Sequence, residues 1–251
     1  MAQEPPAGFP PGPPPFPPDV SPPPPPGGSG WGTPWDRRAE IGLGTALIET
    51  TKEVLTGPGG FFGRMPVTGG IGSPLLYGVI LGYLGILIQA VYSSILQLVG
   101  GFGAGAFSGG PFGDQPELAR FMEIFEGWGG IIGQVVFGPF SIVIGLFVAA
   151  GIIHLMLLLL DGAGQGFEAT FRVLCFSHAA NVLAVVPLCG GFLAGVYGIV
   201  LWIIGLAAAH RIPAWKAAVA VLLPIVLCCC CCLVGVGMMA GGIASMVQHA
   251  Q

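Results

Sequence analysis

Long apolar stretches alternate with short polar breaks from Ser73 to the C-terminus, and every Asp, Glu, Lys and Arg of this part lies in a break. An α-helix of about 20 apolar residues crosses a hydrocarbon core about 30 Å thick. Five stretches suit a crossing: residues 74–99, about 131–160, 173–189, 191–209 and 217 to about 247. The pattern therefore predicts an all-α polytopic membrane helix bundle with five transmembrane helices, formed by residues 74–251.

Two of these stretches depart from an ideal span. The second is over-long and contains Pro139, which predicts a kink or a first turn at the membrane interface. The third is short and polar for a span, and Gly190 and Gly191 follow it directly. A tight turn is therefore expected between the third and fourth spans.

The basic residues predict the orientation. If the N-terminus is cytoplasmic and the chain crosses five times, Arg120 is the only Lys or Arg of the sequence predicted outside. In a four-span model, which merges the third and fourth spans, Arg211 and Lys216 would lie outside as well. Cytoplasmic segments carry an excess of Lys and Arg. The sequence therefore favours five spans over four, with the C-terminus external. The predicted inside residues are Arg37, Arg38, Lys52, Arg64, Arg172, Arg211 and Lys216.

Two segments precede the first span. Residues 1–35 form a proline-rich, glycine-rich tail that includes 15 of the 24 Pro, which predicts a disordered region in an open polyproline II form. Such a tail serves as a plain linker or as a docking site for a partner. Residues 36–73 are predicted to form a juxtamembrane amphipathic helix and a linker. Asp36 caps the helix, and Gly57 and Pro58 end it. In the linker, Phe61 and Phe62 suit the membrane interface. This helix lies on the headgroups or packs on the bundle, and the two alternatives are compatible.

A second amphipathic helix is predicted at residues 114–128, between the first two spans. Asp114 and Glu117 are placed as a helix start, and Pro116 lies inside the first turn. Apolar residues then recur at helical spacing, with Glu123 and Glu126 opposite them. We expect this helix to lie on the outer leaflet, after a glycine-rich link at residues 100–113.

The composition excludes some classes of function. Only 8% of residues are charged, the mean hydropathy is +0.83 and the net charge is -4, so the lipid bilayer is the expected partner and nucleic acid is not. No metalloprotease motif, nucleophile elbow in the membrane body or intramembrane carboxylate pair is present, so no catalytic, cofactor-binding or metal-binding residue is assigned. The run Cys228–Cys232 spreads its thiols around a helix, which is more typical of packing than of a metal or lipid-attachment site.

Polar residues inside the spans are the candidate functional residues. His154 and His178 lie at equal offsets from a loop predicted between Asp161 and Phe171, and Asn181 follows His178 on the same helical face. We expect the two imidazoles to face each other near the cytoplasmic side. This cluster is either hydrogen-bonded packing between helices, or the start of a metal site or proton relay in a small-solute transporter or channel.

Glycine pairs at four-residue spacing allow close helix packing, within the bundle or in a homo-oligomer. The pairs are Gly78 with Gly82, Gly191 with Gly195, and Gly237 with Gly241.

Several short motifs between residues 45 and 235 follow one another in a specific order. In this order they resemble the bacterial branch of the Yip domain family, five-span membrane proteins named for interacting with Ypt/Rab GTPases. The motifs are Val54–Phe62, His154–Leu155, Thr170–Leu174, Val186–Pro187, Trp202–Leu206 and His210–Ala217, and their family-like positions are Gly57, Pro58, Phe61, Phe62, Arg172, Pro187, Gly205 and Arg211.

The resemblance implies a non-enzymatic scaffold or membrane-organising role, similar to trafficking, in a bacterial cytoplasmic membrane. Eukaryotic relatives carry an Asp-Leu-Tyr-Gly-Pro motif before the first span. Only Gly57 and Pro58 of that motif remain here. The resemblance therefore does not extend to binding of a small GTPase.

Overall fold

The computed structural model describes residues 32–99 and 128–249, which form α-helices and one 3₁₀ helix and contain no strand. Residues 1–31 of the predicted tail, the link at 100–113 and the external helix predicted at 114–128, except Trp128, lie outside the described residues, whereas Thr33 and Trp35 at the end of the predicted tail are buried. The helices are α1 (Arg38–Ile41), α2 (Leu43–Thr56), α3 (Pro58–Arg64), α4 (Gly72–Leu98), α5 (Trp128–Leu159), α6 (Gly166–Ser177), the 3₁₀ helix (His178–Val185), α7 (Gly190–His210) and α8 (Ala214–His249).

In the part of the chain that the structure describes, four helices are long and apolar enough to cross a membrane. They cover Gly72–Leu96, Gly129–Leu159, Gly190–His210 and Ala214–Cys232, which matches the first, second, fourth and fifth predicted spans. Pro139 lies inside α5 and Pro224 inside α8 without ending either helix. The predicted class, an all-α membrane bundle, is confirmed.

The third predicted span is not one α-helix. The α-helical hydrogen bonding of α6 ends at Ser177, and the chain continues as the 3₁₀ helix to Val185. A tight turn follows, in which Leu188 has a φ of 65° and the Gly190 N–H donates to the Val186 carbonyl at 2.9 Å. The expected tight turn is present, and residues 186–189 form it rather than Gly190 and Gly191 themselves.

The segment from α6 through the 3₁₀ helix lies beside α4 and runs in the same direction. A Cβ on Gly78 would lie 3.2 Å from the Cys175 Cα, and the Tyr92 hydroxyl donates to the Val185 carbonyl. The 14 residues from Gly78 to Tyr92 rise about 21 Å in an α-helix. The ten from Cys175 to Val185 would rise only about 15 Å as an α-helix, and about 19 Å with eight 3₁₀ residues at about 2.0 Å each. The larger rise per residue of the 3₁₀ helix therefore lets the shorter segment cover nearly the same distance along the bundle axis as α4.

Three links meet at one end of the bundle. The Arg172 side chain reaches the carbonyls of the 65–71 link, the Gln165 N–H donates to His210, and the Lys216 ammonium donates to the Leu160 carbonyl at 2.7 Å. We call this the inner end and the half of the bundle next to it the inner half, following the predicted orientation. The outer half is the half next to the 186–189 turn.

Aromatic side chains fill the inner half. Phe61 and Phe62 have no exposed surface, and Phe61 packs edge-on against Phe176 with ring centroids 5.3 Å apart. The expectation that these two phenylalanines lie at the membrane interface is therefore wrong, because α3 turns them inward onto α6 and α7. Trp35 and Tyr77 continue the same cluster, with centroids 5.3 Å apart. Helices α2 and α3 thus pack on the bundle.

Candidate functional site

A cleft of about 450 Å³ opens in the outer half, between α4, α5, the 3₁₀ helix and α7. Glycine and alanine form much of its wall, together with Ile86, Ile142, Ile199 and Trp202. Its polar lining consists of Gln89, Gln134, Ser177, His178 and Asn181. Within ranges 32–99 and 128–249, no charged side chain lines it.

The cleft begins near the middle of the bundle. Gly82 is ten residues into α4, which places it about 15 Å from the inner end, and Gln89 lies about 26 Å from it. On α7, the lining runs from Gly191 at the outer end of the helix to Trp202. The cleft therefore lies at the depth of the outer half.

His178 presents a hydrogen-bond acceptor to the cleft. Its Nδ1 lies 3.0 Å from the Leu174 carbonyl, and a carbonyl can only accept, so Nδ1 carries the proton. In the neutral ring, Nε2 is then an acceptor. The ring fits because α4 has a glycine opposite it: a Cβ on Gly82 would lie 3.0 Å from the His178 Cδ2 atom.

Asn181 is held in a similar way. A Cβ on Gly85 would lie 3.1 Å from the Asn181 Cβ, and the Asn181 side-chain amide donates to the Leu81 carbonyl at 3.4 Å. The close packing predicted for Gly78 and Gly82 is thus observed against the third segment, and Gly85 extends it. Gly191 and Gly195 line the cleft instead, and Gly237 and Gly241 lie in a part of α8 whose side chains are outside the described residues.

A second polar group lies in the inner half. Thr170 is fully buried, and its hydroxyl oxygen lies 3.0 Å from His154 Nδ1 and 2.9 Å from His210 Nε2. The Gln165 N–H approaches His210 Nδ1 at 3.4 Å, so that nitrogen accepts and Nε2 donates to Thr170. The Thr170 hydroxyl then donates to His154. We call Gln165, His210, Thr170 and His154 the inner hydrogen-bond chain.

The structure brings His178 and Asn181 together but places His154 elsewhere. The predicted face-to-face pair of His154 and His178 is wrong, because each ring has a different partner. The cause is the loop, which ends at Gly166 rather than Phe171. His178 is therefore about 18 Å along its segment, whereas His154 is about 8 Å from the end of α5.

Five polar side chains of these sites were not predicted: Thr170, His210, Ser177, Gln89 and Gln134. Thr170 and His210 lie within family-like motifs, but no pattern in the sequence assigns their side chains to His154. The glutamines are single polar residues inside apolar stretches, which is a signal that the sequence does carry.

Arg172 is the most connected of the family-like positions. It is 2% exposed, and its guanidinium donates to Glu168 at 3.1 Å, to the Pro66 carbonyl at 3.1 Å and to the Gly70 carbonyl at 2.9 Å. Glu168 in turn accepts from the Gly70 N–H at 2.6 Å. This Arg172 clamp joins the link before α4 to the start of α6.

The remaining family-like positions shape the backbone. Gly57 and Pro58 separate α2 from α3, and Pro187 lies in the outer turn. Gly205 is buried where a Cβ would lie 2.5 Å from a Val173 methyl carbon. Arg211 ends α7 in the left-handed region, with a φ of 56°.

Thiols and metal ligands form no comparable site in the described ranges. The side chains of Cys228–Cys232 are exposed on α8, and no three His, Cys, Asp or Glu side chains of ranges 32–99 and 128–249 are grouped as metal ligands. Contact with lipid is the environment that four apolar helices imply for such exposed thiols.

Comparison with known proteins identifies the family. A family model described as the Yip1 domain matches residues 52–236, from the last turn of α2 into α8. No match was found among the curated proteins or among the solved structures. Because the matched region covers more than half of the chain and includes the cleft, the inner hydrogen-bond chain and the Arg172 clamp, this multi-pass membrane protein belongs to the Yip1 domain family.

Proposed function

We propose that this protein is a non-enzymatic scaffold that organises the membrane in which it lies. The observation that carries the proposal is a group of elements packed on the bundle, formed by Trp35 and helices α1, α2 and α3, which we call the platform. It presents exposed apolar side chains beside charged ones. Leu43 is 52% exposed and Ile48 is 69% exposed, and Glu49 and Lys52 are exposed beside them on α2.

Four side-chain hydrogen bonds hold the platform to the bundle. The Trp35 indole donates to the Ser73 carbonyl at 2.7 Å, and Arg38 donates to the Ser73 hydroxyl at 2.9 Å. Thr51 and Tyr77 share a bond of 2.8 Å, and the Tyr197 hydroxyl donates to the Leu55 carbonyl at 2.6 Å. An amphipathic helix held in place at the membrane surface suits insertion of its apolar side chains among the headgroups.

The proposed topology has five crossings, a cytoplasmic N-terminus and an external C-terminus, in a bacterial cytoplasmic membrane. The register between α4 and the third segment supports a fifth crossing, because the two elements advance together from Gly78 to Tyr92. Arg211 lies in one of the three links at the inner end, and Arg172 and Lys216 donate to carbonyls of the other two, which supports placement of this end inside.

Reconstitution into liposomes tests the proposed role. The full chain should change vesicle size and curvature, measured by electron cryomicroscopy, without releasing an entrapped solute. The double substitution Leu43→Ser with Ile48→Ser should abolish the change, because it removes the apolar side chains from the exposed face of α2. Leu188→Ser is the matched control, since Leu188 is 98% exposed but lies at the outer turn. Remodelling that survives the double substitution would contradict the proposal.

The cleft supports a second candidate function, a small-solute transporter or channel. His178 and Asn181 line it, whereas His154 does not. Solute flux that depends on His178, without remodelling, would favour this alternative. The aromatic packing of the inner half argues against an open channel, because the cleft lining does not extend below Gly82 and Trp202. Binding of a small GTPase is not proposed, since only Gly57 and Pro58 remain of the eukaryotic motif.

A further inference from the structure

We propose that the outer cleft binds the uncharged, hydroxyl-bearing headgroup of a membrane lipid, such as diacylglycerol or a monoglycosyl diacylglycerol. This inference goes beyond the scaffold role and does not depend on it. It rests on the depth, the chemistry and the size of the cleft.

The depth favours a ligand that resides in the membrane. The lining on α4 runs from about 15 Å to about 26 Å from the inner end, and on α7 it begins at Gly191 beside the outer turn, so the cleft extends from the middle of the bundle to its outer end. The cleft is open on one side, and Gln89, Gln134 and Gly195 at its margin are exposed. A lipid of the outer leaflet already has its headgroup region at this side of the bundle.

The chemistry selects a neutral headgroup with hydroxyl groups. His178 Nε2 is an acceptor that requires a donor, and the amides of Gln89 and Gln134 offer both a donor and an acceptor. A hydroxyl group is also both donor and acceptor, so it can satisfy either. Among the residues that the structure describes, no Lys or Arg lines the cleft to neutralise a phosphate, and a buried unpaired charge is costly. Trp202 and Ile199 provide apolar surface for the first methylenes of the acyl chains.

The size agrees with this ligand. A volume of about 450 Å³ equals roughly 15 water molecules at about 30 Å³ each. That volume accommodates a glyceryl or single-sugar headgroup with the beginning of its chains. It lies within the usual range of ligand pockets, about 300–1,000 Å³.

Gly195 offers a substitution that fills the cleft without disturbing the fold. It lines the cleft, it lies inside α7, and a Cβ there would meet no atom within 4 Å. Gly195→Leu therefore adds a side chain to empty space and raises the helix propensity. Gly145→Leu on α5 is the matched control, because a Cβ there also meets nothing but Gly145 does not line the cleft.

Native mass spectrometry of the full chain released from nanodiscs measures the binding. The nanodiscs contain phosphatidylcholine with an equal mole fraction of diacylglycerol, monoglucosyl diacylglycerol or phosphatidylglycerol. We expect retention of the two uncharged hydroxyl lipids at least tenfold above phosphatidylcholine, a loss of at least tenfold in Gly195→Leu, and no change in Gly145→Leu. Gln134→Leu and Asn181→Leu should each weaken retention several-fold.

Three outcomes of the nanodisc measurement would overturn the proposal. They are equal retention of phosphatidylcholine and the hydroxyl lipids, stronger retention of phosphatidylglycerol than of the uncharged lipids, and unchanged retention in Gly195→Leu. In the last arm, equilibrium dialysis measures the binding of free glycerol and free glucose to the detergent-solubilised chain. Binding of these solutes as tightly as of the lipids would identify a solute site and contradict a lipid ligand. The vesicle-remodelling assay tests the exposed apolar residues of α2 and is measured separately from lipid retention. A failure of the scaffold proposal therefore does not change the outcome of the lipid-binding test.

Discussion

In the inner half of the bundle, large aromatic side chains meet edge to face, whereas in the outer half glycine and alanine surround an open cleft. Helix α5 shows the difference within one element. Its buried stripe of Leu146, Ala150, Ile153 and Leu157 occupies the half that ends at the inner links. Before residue 146 the described part of α5 has only Gly138 fully buried. The same helix therefore serves as core at one end and as cleft wall and lipid-facing surface at the other.

Polar groups follow the same division. In the inner half, Arg172 and Thr170 are buried and each has at least two hydrogen-bond partners on other parts of the chain or its own helix. In the outer half, His178 and Asn181 each bond once to a backbone carbonyl and keep further hydrogen-bonding capacity. Satisfied polar groups stabilise and specify a fold, while groups with spare capacity are available to a ligand. The comparison assigns stability to the inner half and binding to the outer half.

The largest expected effect is at the Arg172 clamp. Arg172→Ala removes a buried guanidinium and leaves the carboxylate of Glu168 and the carbonyls of Pro66 and Gly70 without their donor. Breaking a buried ion pair costs about 3–5 kcal/mol, and because the Glu168 side chain is 28% exposed, the lower end of that range, about 3 kcal/mol, applies here. We expect a loss of that size in the free energy of unfolding, measured by denaturant titration in mixed micelles. Arg172→Lys should not restore it, because an ammonium cannot bond to three separate acceptors in the same planar geometry.

Arg64→Ala is the control for this substitution. Arg64 pairs with Glu53, but the two side chains are 45% and 38% exposed. An exposed pair contributes about 0–1 kcal/mol. Equal losses for Arg64→Ala and Arg172→Ala would show that the clamp is no more important than a surface pair.

The second prediction compares one glycine from each half of α7. A Cβ on Gly205 would lie 2.5 Å from a Val173 methyl carbon and 3.1 Å from the Phe62 ring, whereas a Cβ on Gly195 would meet nothing. Overpacking costs about 1–3 kcal/mol, and the gain in helix propensity from Gly to Ala is at most about 1 kcal/mol. Gly205→Ala should therefore destabilise the chain, and Gly195→Ala should be neutral or slightly stabilising. The free energies of unfolding of both variants decide this, and a reversed order would contradict the packing difference.

The third and smallest effect concerns the inner hydrogen-bond chain. Thr170→Val removes two bonds at nearly constant shape, and intramembrane hydrogen bonds contribute about 0.6 kcal/mol each, so we expect a loss of about 1 kcal/mol. The losses from Thr170→Val and His154→Ala should sum to more than the loss in the double mutant, because the two residues share a bond. Thr170→Val with His178→Ala should be additive. Additive losses for Thr170 with His154, or non-additive losses for Thr170 with His178, would contradict the inner hydrogen-bond chain.

The sequence predicts the spans well because the length of an apolar stretch can be counted along the chain without knowledge of tertiary contacts. The lengths and order of α4, α5, α7 and α8 follow directly from the uninterrupted apolar stretches. It predicts the third segment poorly, because nothing in residues 173–189 specifies that hydrogen bonding changes from α to 3₁₀ at His178. The glycines of α4 lie opposite this segment, and such a tertiary contact is not visible in the segment's own residues.

The candidate site shows the same limit. His178 and Asn181 were identified as polar residues of one helical face, and the structure places both in the cleft. His154 was assigned to them by counting from a loop boundary that was five residues too late, since α6 begins at Gly166 and not at Phe171. Five residues of helix rise about 8 Å, which is enough to place Thr170 rather than His178 beside His154. The burial of Phe61 and Phe62 was missed for a related reason, because aromatic residues suit both an interface and a core.

The comparison of inner and outer halves requires that the third segment crosses the bilayer, so labelling of the turn at its end is the most direct test. In a background without native cysteines, Leu188→Cys places a thiol at a position that is 98% exposed in the outer turn. Gly164→Cys places one in the exposed loop between α5 and α6. With a membrane-impermeant thiol reagent on intact cells, we predict labelling of Leu188→Cys and protection of Gly164→Cys until the cells are opened. Protection of both positions in intact cells, or labelling of both, would show that the third segment does not cross and would contradict the account.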